Sequence, residues 1–272
     1  MKPGVYLNIE NSDYHDGPGI SKSQLDDIAI SPAIYQWKKY APIDTEKTSA
    51  LDMGTALHCL LLEPEKFANR FIIAPEFNRR TNDGKASEKE FLEKCATTGK
   101  TVMTNDEGRK LNLMRESAMA HPGARMLLES DGHCESSIYW NDAETGELCR
   151  IRPDKYLTSR PLIVDVKKVA DMSRFPRHIE EFRYHVQEAM YCEGFKAQFG
   201  VAPQFAFLAV SESISCGRYP TRLFVLDDED HDAGLSLFKR DLLTYHKAKS
   251  SNHWGLGFEI IQRPSWARRN NE

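Results

Sequence analysis

Apolar positions in the first 130 residues recur with the spacing of short helices. In residues 21–40, SKSQLDDIAISPAIYQWKKY, a serine-rich cap precedes apolar positions at Leu25 and Ile28. Pro32 fits the first turn of a second short helix carrying Ile34, Tyr35 and Trp37. Residues 48–62, TSALDMGTALHCLLL, predict a buried helix, and Pro64 opens another short one, PEKFANRF. Residues 74–106 break this texture: they are polar, turn-rich and basic at Arg79, Arg80, Lys85 and Lys89, and fit either a solvated loop with a short helix or an arm that touches a nucleic-acid backbone. Residues 106–129 predict a helix capped by Asp106, with a break near His121-Pro122-Gly123.

Beyond residue 130 the pattern changes. CESSIYWN (134–141) and ELCRIRPD (147–154) are strand-like and flank the turn DAETG, and PLIVDVKK (161–168) is the strongest strand. A helix is predicted over about 175–199, then strands in PQFAFLAVS and RLFVLD, then a helix over about 229–249. Helices, three strands, a helix, two strands and a helix predict an α/β or α+β fold, a mixed sheet flanked by helices. No internal repeat or long low-complexity linker divides the chain. The expected organisation is one domain over 1–272: a mainly helical part, 1–130, with the polar insertion 74–106, and a sheet-containing core, 131–272.

Composition narrows the function classes. The chain has 272 residues, 40% of them hydrophobic and 28% charged, as in ordinary globular proteins. No apolar run approaches the roughly 18 residues that span a bilayer, so no membrane association is expected. The opening MKPGVYLNIENSDYHDG has no apolar core of a secretory signal. Six scattered cysteines without a CxxC fit free thiols in a reducing compartment, predict a cytoplasmic protein, and argue against a zinc or iron–sulfur site. A net charge of −4 gives no global basic field, although a local basic groove would suffice for nucleic acid.

The chemistry concentrates in residues 147–168. Folded as a hairpin, this stretch sets Asp154 opposite Asp165 and Arg152 opposite Lys167, with Asp165 and Lys167 on one face and Val164 and Val166 on the other. Adjacent carboxylates repel, and a hard divalent cation between them relieves the repulsion. Lys167 would then offset negative charge or orient a water, the equipment for metal-assisted phosphodiester hydrolysis. The competing reading is an exposed charged hairpin. Against it stands an acid inside the apolar run LIVDV. His58, on an otherwise apolar helix, is either a core histidine or part of a site. Gln187 and Tyr191 are i,i+4 neighbours with Tyr184 just before, beside an apolar stripe of Ile179, Phe182, Val186 and Ala189. DDEDHDAG (227–234) is read as acids at the start of the last helix, stabilised by its dipole. Trp254 is read as core packing of a terminal strand and RPSWARR as a surface end.

Taken together, Pro153-Asp154, ten intervening residues, Asp165-Val166-Lys167 and then QEAMY resemble the motifs of the PD-(D/E)xK nuclease superfamily, in order and spacing. Gly54 and His58 match the G-x-x-x-H of its RecB-like branch. Over essentially the whole chain, including GISKSQLDDIAISPAIYQWKK and FEIIQRPSWA, the sequence resembles the RecE-type exonucleases (exonuclease VIII). The resemblance implies a restriction-endonuclease-like core in which Asp154, Asp165, the Val166 carbonyl and His58 hold Mg²⁺, with Mn²⁺ as a substitute. It implies that Lys167 positions the attacking water and that Gln187 and Tyr191 line the site. Arg79, Arg80 and Arg152 are the expected DNA contacts. It further implies 5′→3′ resection of double-stranded DNA ends to mononucleotides, leaving 3′ tails for strand annealing in recombination and repair. A ring-shaped homotetramer, a RecT-type annealing partner and a bacterial or prophage origin complete the expectation. Two alternatives stay open: an endonuclease with the same metal site, and a DNA-end-binding relative that does not cut. Glu63, five positions after His58, is a candidate further acid and is left outside the expected site.

Overall fold

The structure is a computed structural model that describes residues 1–43, 53–258 and 260–268. Residues 48–52 of the expected buried helix, Glu259 and Arg269 lie outside them. The helical half runs β1 (Gly4–Tyr6), α1 (Asn11–Asp16), α2 (Lys22–Ile30), α3 (Pro32–Lys38), α4 (Met53–Leu62), α5 (Pro64–Arg70), β2 (Phe71–Ile73), α6 (Asn82–Ala96), β3 (Thr101–Met103), α7 (Asn105–Ala120) and α8 (Pro122–Glu129). The second half runs β4 (Gly132–Cys134), β5 (Ser137–Asn141), β6 (Leu148–Ile151), β7 (Lys155–Leu157), β8 (Leu162–Val169), α9 (Phe175–Glu181), α10 (Tyr184–Phe199), β9 (Gln204–Ser211), β10 (Thr221–Phe224), α11 (Asp228–Ser251) and α12 (Ser265–Arg268).

The central sheet is mixed, in the order β10-β9-β8-β7-β4, with β8 and β9 parallel and the other neighbours antiparallel. Side chains alternate along β8 and separate two cores. Ile163 and Val169 face one layer with Trp140, Phe175, Met190, Phe207 and Phe238. Leu162, Val164 and Val166 face another with Leu57, Leu111, Met114 and Leu127. The sheet therefore lies between α4, α7 and α8 on one side and α2, α10 and α11 on the other. Among the described residues no helix is long and apolar enough to cross a membrane.

The expected hairpin splits in two. Lys155 pairs with Val164 and Tyr156 with Ile163, the expected register, which carried one step further sets Asp154 beside Asp165. Residues 148–151 instead pair with β5, in a second sheet of order β1-β5-β6. Pro153 is the physical reason: it has no N–H to give a ladder and punctuates the strand just before the first acid. Arg152 therefore leaves the ladder and does not oppose Lys167.

Other boundaries differ from expectation for local reasons. Thr104, rather than Asp106, caps α7: its Oγ1 accepts from the Glu107 amide (3.2 Å), and the Glu107 carboxylate accepts from the Thr104 amide (2.7 Å). Within the polar stretch 74–106, Asn82–Ala96 is ordered as α6, with Thr81 at its cap, a longer helix than the short one expected. The helix expected over 175–199 breaks at Arg183, whose φ is 54°; its guanidinium is held by Asp241 and, at 3.5 Å, Asp26. The acids at the start of α11 do lie in its first turn, with Asp227 accepting from the Asp230 amide. No strand forms around Trp254 among the described residues; its ring packs on Tyr35 at 5.4 Å and Tyr245 at 6.1 Å instead.

Helix α11 seats α10 through one close approach. A Cβ on Gly234 would run into the His185 carbonyl, in the first turn of α10. Gly234→Ala is therefore expected to lower stability by about 1–3 kcal/mol, read as a shifted midpoint in urea denaturation. An unchanged midpoint would mean that α10 is not set by this contact.

Candidate active site

Four elements converge on one corner of the sheet. Helix α4 contributes His58, the connection from β4 to β5 contributes Glu135, the residue before β7 is Asp154, and β8 contributes Asp165 and Lys167. The β4–β7 ladder pairs Cys134 with Lys155, which draws residue 135 against residue 154. The Glu135 amide donates to the Asp154 carbonyl at 3.1 Å. Glu135 holds a left-handed φ of 52°, a conformation that costs a non-glycine residue about 1–3 kcal/mol and is kept only where the surroundings impose it.

His58, Glu135 and Asp154 each place a ligand atom within 4.8 Å of the others. His58 Nδ1 lies 3.4 Å from Asp154 Oδ2, and that oxygen accepts from the Val166 amide at 2.6 Å. Burial, then repulsion from Asp165, pushes the Asp154 carboxyl up to about 6, against the pull of His58 and Lys167. Burial, then repulsion from Asp154, pushes Glu135 up to about 7. Two half-buried acids that resist ionisation side by side, with an imidazole at hand, form an oxygen-and-nitrogen donor set suited to a divalent cation. The ion would relieve the repulsion that the fold imposes on them.

A second network adjoins the first. Asp165 is 1% exposed. It receives the Gln187 Nε2 at 2.6 Å and lies 2.7 Å from Lys167 Nζ. Lys167 also donates to Gln187 Oε1 at 3.0 Å and sits 4.5 Å over the Tyr184 ring. Burial opposes the lysine's charge, but the Asp165 and Asp154 carboxylates outweigh it and hold its pKa above the ordinary value. Lys167 is thus a cation throughout the neutral range.

The other expected residues fall as follows. Val166 meets the site through its amide, while its side chain lies in the opposite core. Tyr191 stands one turn along α10 from Gln187, its ring edge-on to Phe205, and burial keeps its phenol neutral by raising its pKa far above the usual value. Arg152 is turned inward. It donates to Ser137 Oγ (2.8 Å) and the Ile9 carbonyl (2.8 Å) and stacks over Tyr14. Arg79 forms a fork with Glu88 on the surface, and neither Arg79 nor Arg80 lines the cleft around the site. Glu135 escapes sequence reasoning because it stands outside the hairpin motif. Only the β4–β7 register brings it in, and CESS by itself carries no signal of that pairing.

The raised acids make a prediction about stability. An acid whose folded pKa exceeds its unfolded value binds more protons when folded, so stability falls as pH rises through the interval between the two. Without divalent ions, the protein is expected to lose stability between about pH 4 and pH 7 through Asp154 and Glu135. Divalent ions should restore more stability at pH 8 than at pH 5.5, where they must first displace protons. Melting temperatures with and without Mg²⁺ at the two pH values test this. Equal shifts would contradict it.

A sequence model of the family described as "PDDEXK-like domain of unknown function (DUF3799)" matches residues 21–261. No curated protein matches the sequence significantly. A crystal structure from Eubacterium rectale, provisionally described as an exonuclease, shares the fold: 12% identity, TM-score 0.63, covering 97% of this chain and 98% of that one. A phage-related exonuclease from Haemophilus somnus is more distant, at 16% identity and TM-score 0.32 over 75% of this chain and 96% of that one.

Proposed function

The chain belongs to the PDDEXK-like family DUF3799, and on that premise we propose that it is a divalent-metal-dependent nuclease acting on the ends of DNA. The observation that carries this reading is the convergence of His58, Glu135 and Asp154 beside the Asp165–Lys167–Gln187 network. A cation held by the first set would supply Lewis-acid polarisation of a phosphate and a more acidic water. The protein's own groups do the rest. Lys167 offsets the negative charge that grows on the scissile phosphate, in a site where burial strengthens the interaction. Asp165 and Gln187 hold the ammonium in place, and Tyr184 covers it with an aromatic face. Residues 1–272 act as one nuclease domain in this reading.

The finer activity rests on the resemblance to the RecE-type exonucleases and on the provisional description of the Eubacterium rectale neighbour. We assign Mg²⁺ as the working ion, 5′→3′ polarity on double-stranded ends, mononucleotide products, and a role in recombination with a RecT-type annealing partner in the cytoplasm. Arg79 and Arg80 are assigned to duplex beyond the cleft. A ring-shaped homotetramer is consistent with the fully exposed apolar residues Phe258, Ile260 and Ile261 near the C-terminal end. A linear duplex carrying different labels at its 5′ and 3′ ends, beside a circular duplex, tests polarity and end dependence. Early release of 5′ label as mononucleotide, from linear DNA alone, is the expected result. Cutting of the circle would replace the reading with an endonuclease, and early release of 3′ label would reverse the polarity.

A further inference from the structure

The site opens into a cleft of about 870 Å³ that is also lined by α5. Lys66, Asn69 and Arg70 line it at i, i+3 and i+4, so one stripe of that helix faces the same space as His58 and Glu135. The two cations are half exposed, at 50% and 48%. Beneath them lies Glu63, only 7% exposed. One of its carboxylate oxygens pairs with Lys66, and the other lies 3.3 Å from Arg70 Nη1. A buried carboxylate that holds two long side chains at the mouth of a cleft fixes their direction and leaves their outer donors toward the cleft. An isolated helix-surface ion pair would need neither the burial nor the shared acid.

The charge of the cleft agrees. Its lining holds three acids, Glu10, Glu63 and Glu135, and three bases, Lys66, Arg70 and Arg152. Arg152 spends its donors on Ser137, Asn11 and Ile9, which leaves Lys66 and Arg70 as the cations directed at a ligand. A dication at His58, Glu135 and Asp154 would turn the balance positive. The fork of an arginine beside a lysine then matches a phosphate better than any neutral group.

We propose that Lys66 and Arg70, set by Glu63, form a phosphate-binding cradle for the DNA strand being cut, in the same cleft that His58 and Glu135 line. The proposal rests on the nuclease reading and deepens it. The phosphate is either an internal diester or the monoester at a 5′ terminus, and the test separates the two.

DNA binding is measured by fluorescence anisotropy in Ca²⁺ over a range of salt, with 5′-phosphorylated and 5′-hydroxyl duplexes. Wild type is compared with Lys66→Gln, Arg70→Gln and the double variant. The double variant should bind about tenfold more weakly, and the slope of log affinity against log salt should shrink by about 1.8, two contacts at roughly 0.9 each. Its Mg²⁺-dependent rise in melting temperature should match that of wild type, which a merely structural role would not preserve. If wild type prefers the phosphorylated end and the variant loses that preference, the cradle holds the terminal phosphate; equal weakening on both duplexes assigns it an internal one. Unchanged affinity and slope, or a lost Mg²⁺ response, would overturn the proposal. The same proteins are assayed for cleavage in Mg²⁺. A wild type that binds but never cuts would sink the nuclease reading and leave the cradle standing; a wild type that cuts beside a variant of unchanged binding would sink only the cradle.

Discussion

Replacing Lys167 by methionine is expected to slow DNA cleavage by about 10²–10³-fold while DNA binding changes only a few-fold. Methionine keeps much of the stem but removes the ammonium, which lies 2.7 Å from Asp165 and 4.5 Å over the Tyr184 ring. The loss has two parts. The scissile phosphate loses a preorganised positive charge, and Asp165, almost wholly buried, keeps the hydrogen bond from Gln187. Leaving a buried charge without its partner costs about 3–5 kcal/mol, so the variant should also melt earlier. Asp165→Asn should lose a comparable factor in rate, because the two residues act as one unit. The double variant should then be no worse than the worse single one. Single-turnover rates on one linear duplex decide this. Losses that multiply would mean that Asp165 and Lys167 act separately, and a Lys167→Met rate near wild type would remove the lysine from the chemistry.

Glu135→Gln is the second large effect expected, and it tests the residue that the motif reading leaves out. The substitution keeps shape and one oxygen but removes a charge from the cluster with His58 and Asp154. Wild type with Mg²⁺ at a hundred times its dissociation constant should gain about 2.7 kcal/mol of stability, and the variant should lose most of that gain along with about 10²-fold in cleavage. The sign reverses without metal. At pH 8 the wild type carries two mutually repelling half-buried carboxylates, so the metal-free variant should melt higher than metal-free wild type. A crossing of the two melting orders on adding Mg²⁺ is the signature. A variant that is less stable without metal yet keeps the full Mg²⁺ response would show that Glu135 is structural.

These residues also mark what the chain discloses before it folds. The acid in LIVDV, the two-residue step to Lys167 and the helical step from Gln187 to Tyr191 are local relations. A strand or a helix converts each directly into a shared face. The register that sets Asp154 beside Asp165 was legible for the same reason, since one connection of a few residues joins β7 to β8. Glu135 and the cradle on α5 depend on distant pairings: β4 against β7 across some twenty residues, and α4–α5 around one cleft with residues 134 and 135. Periodicity says nothing about which strand finds which. The alternation in ELCRIRPD predicts a hairpin one strand too long because that alternation is real; it serves β5 instead, and Pro153 ends it. The sequence does not disclose that Arg152 is turned inward. Here the first residues of the chain and Tyr14 enclose it.

The most direct measurement takes protein stripped of divalent ions and mixes it with a single linear duplex. Mg²⁺ is then added, and EDTA after it. Nucleotide release that begins with Mg²⁺ and stops with EDTA is the predicted result. Release that continues in EDTA, or DNA that stays bound and whole in Mg²⁺ and Mn²⁺ alike, would contradict the claim that the cluster of His58, Glu135 and Asp154 serves metal-dependent DNA cleavage.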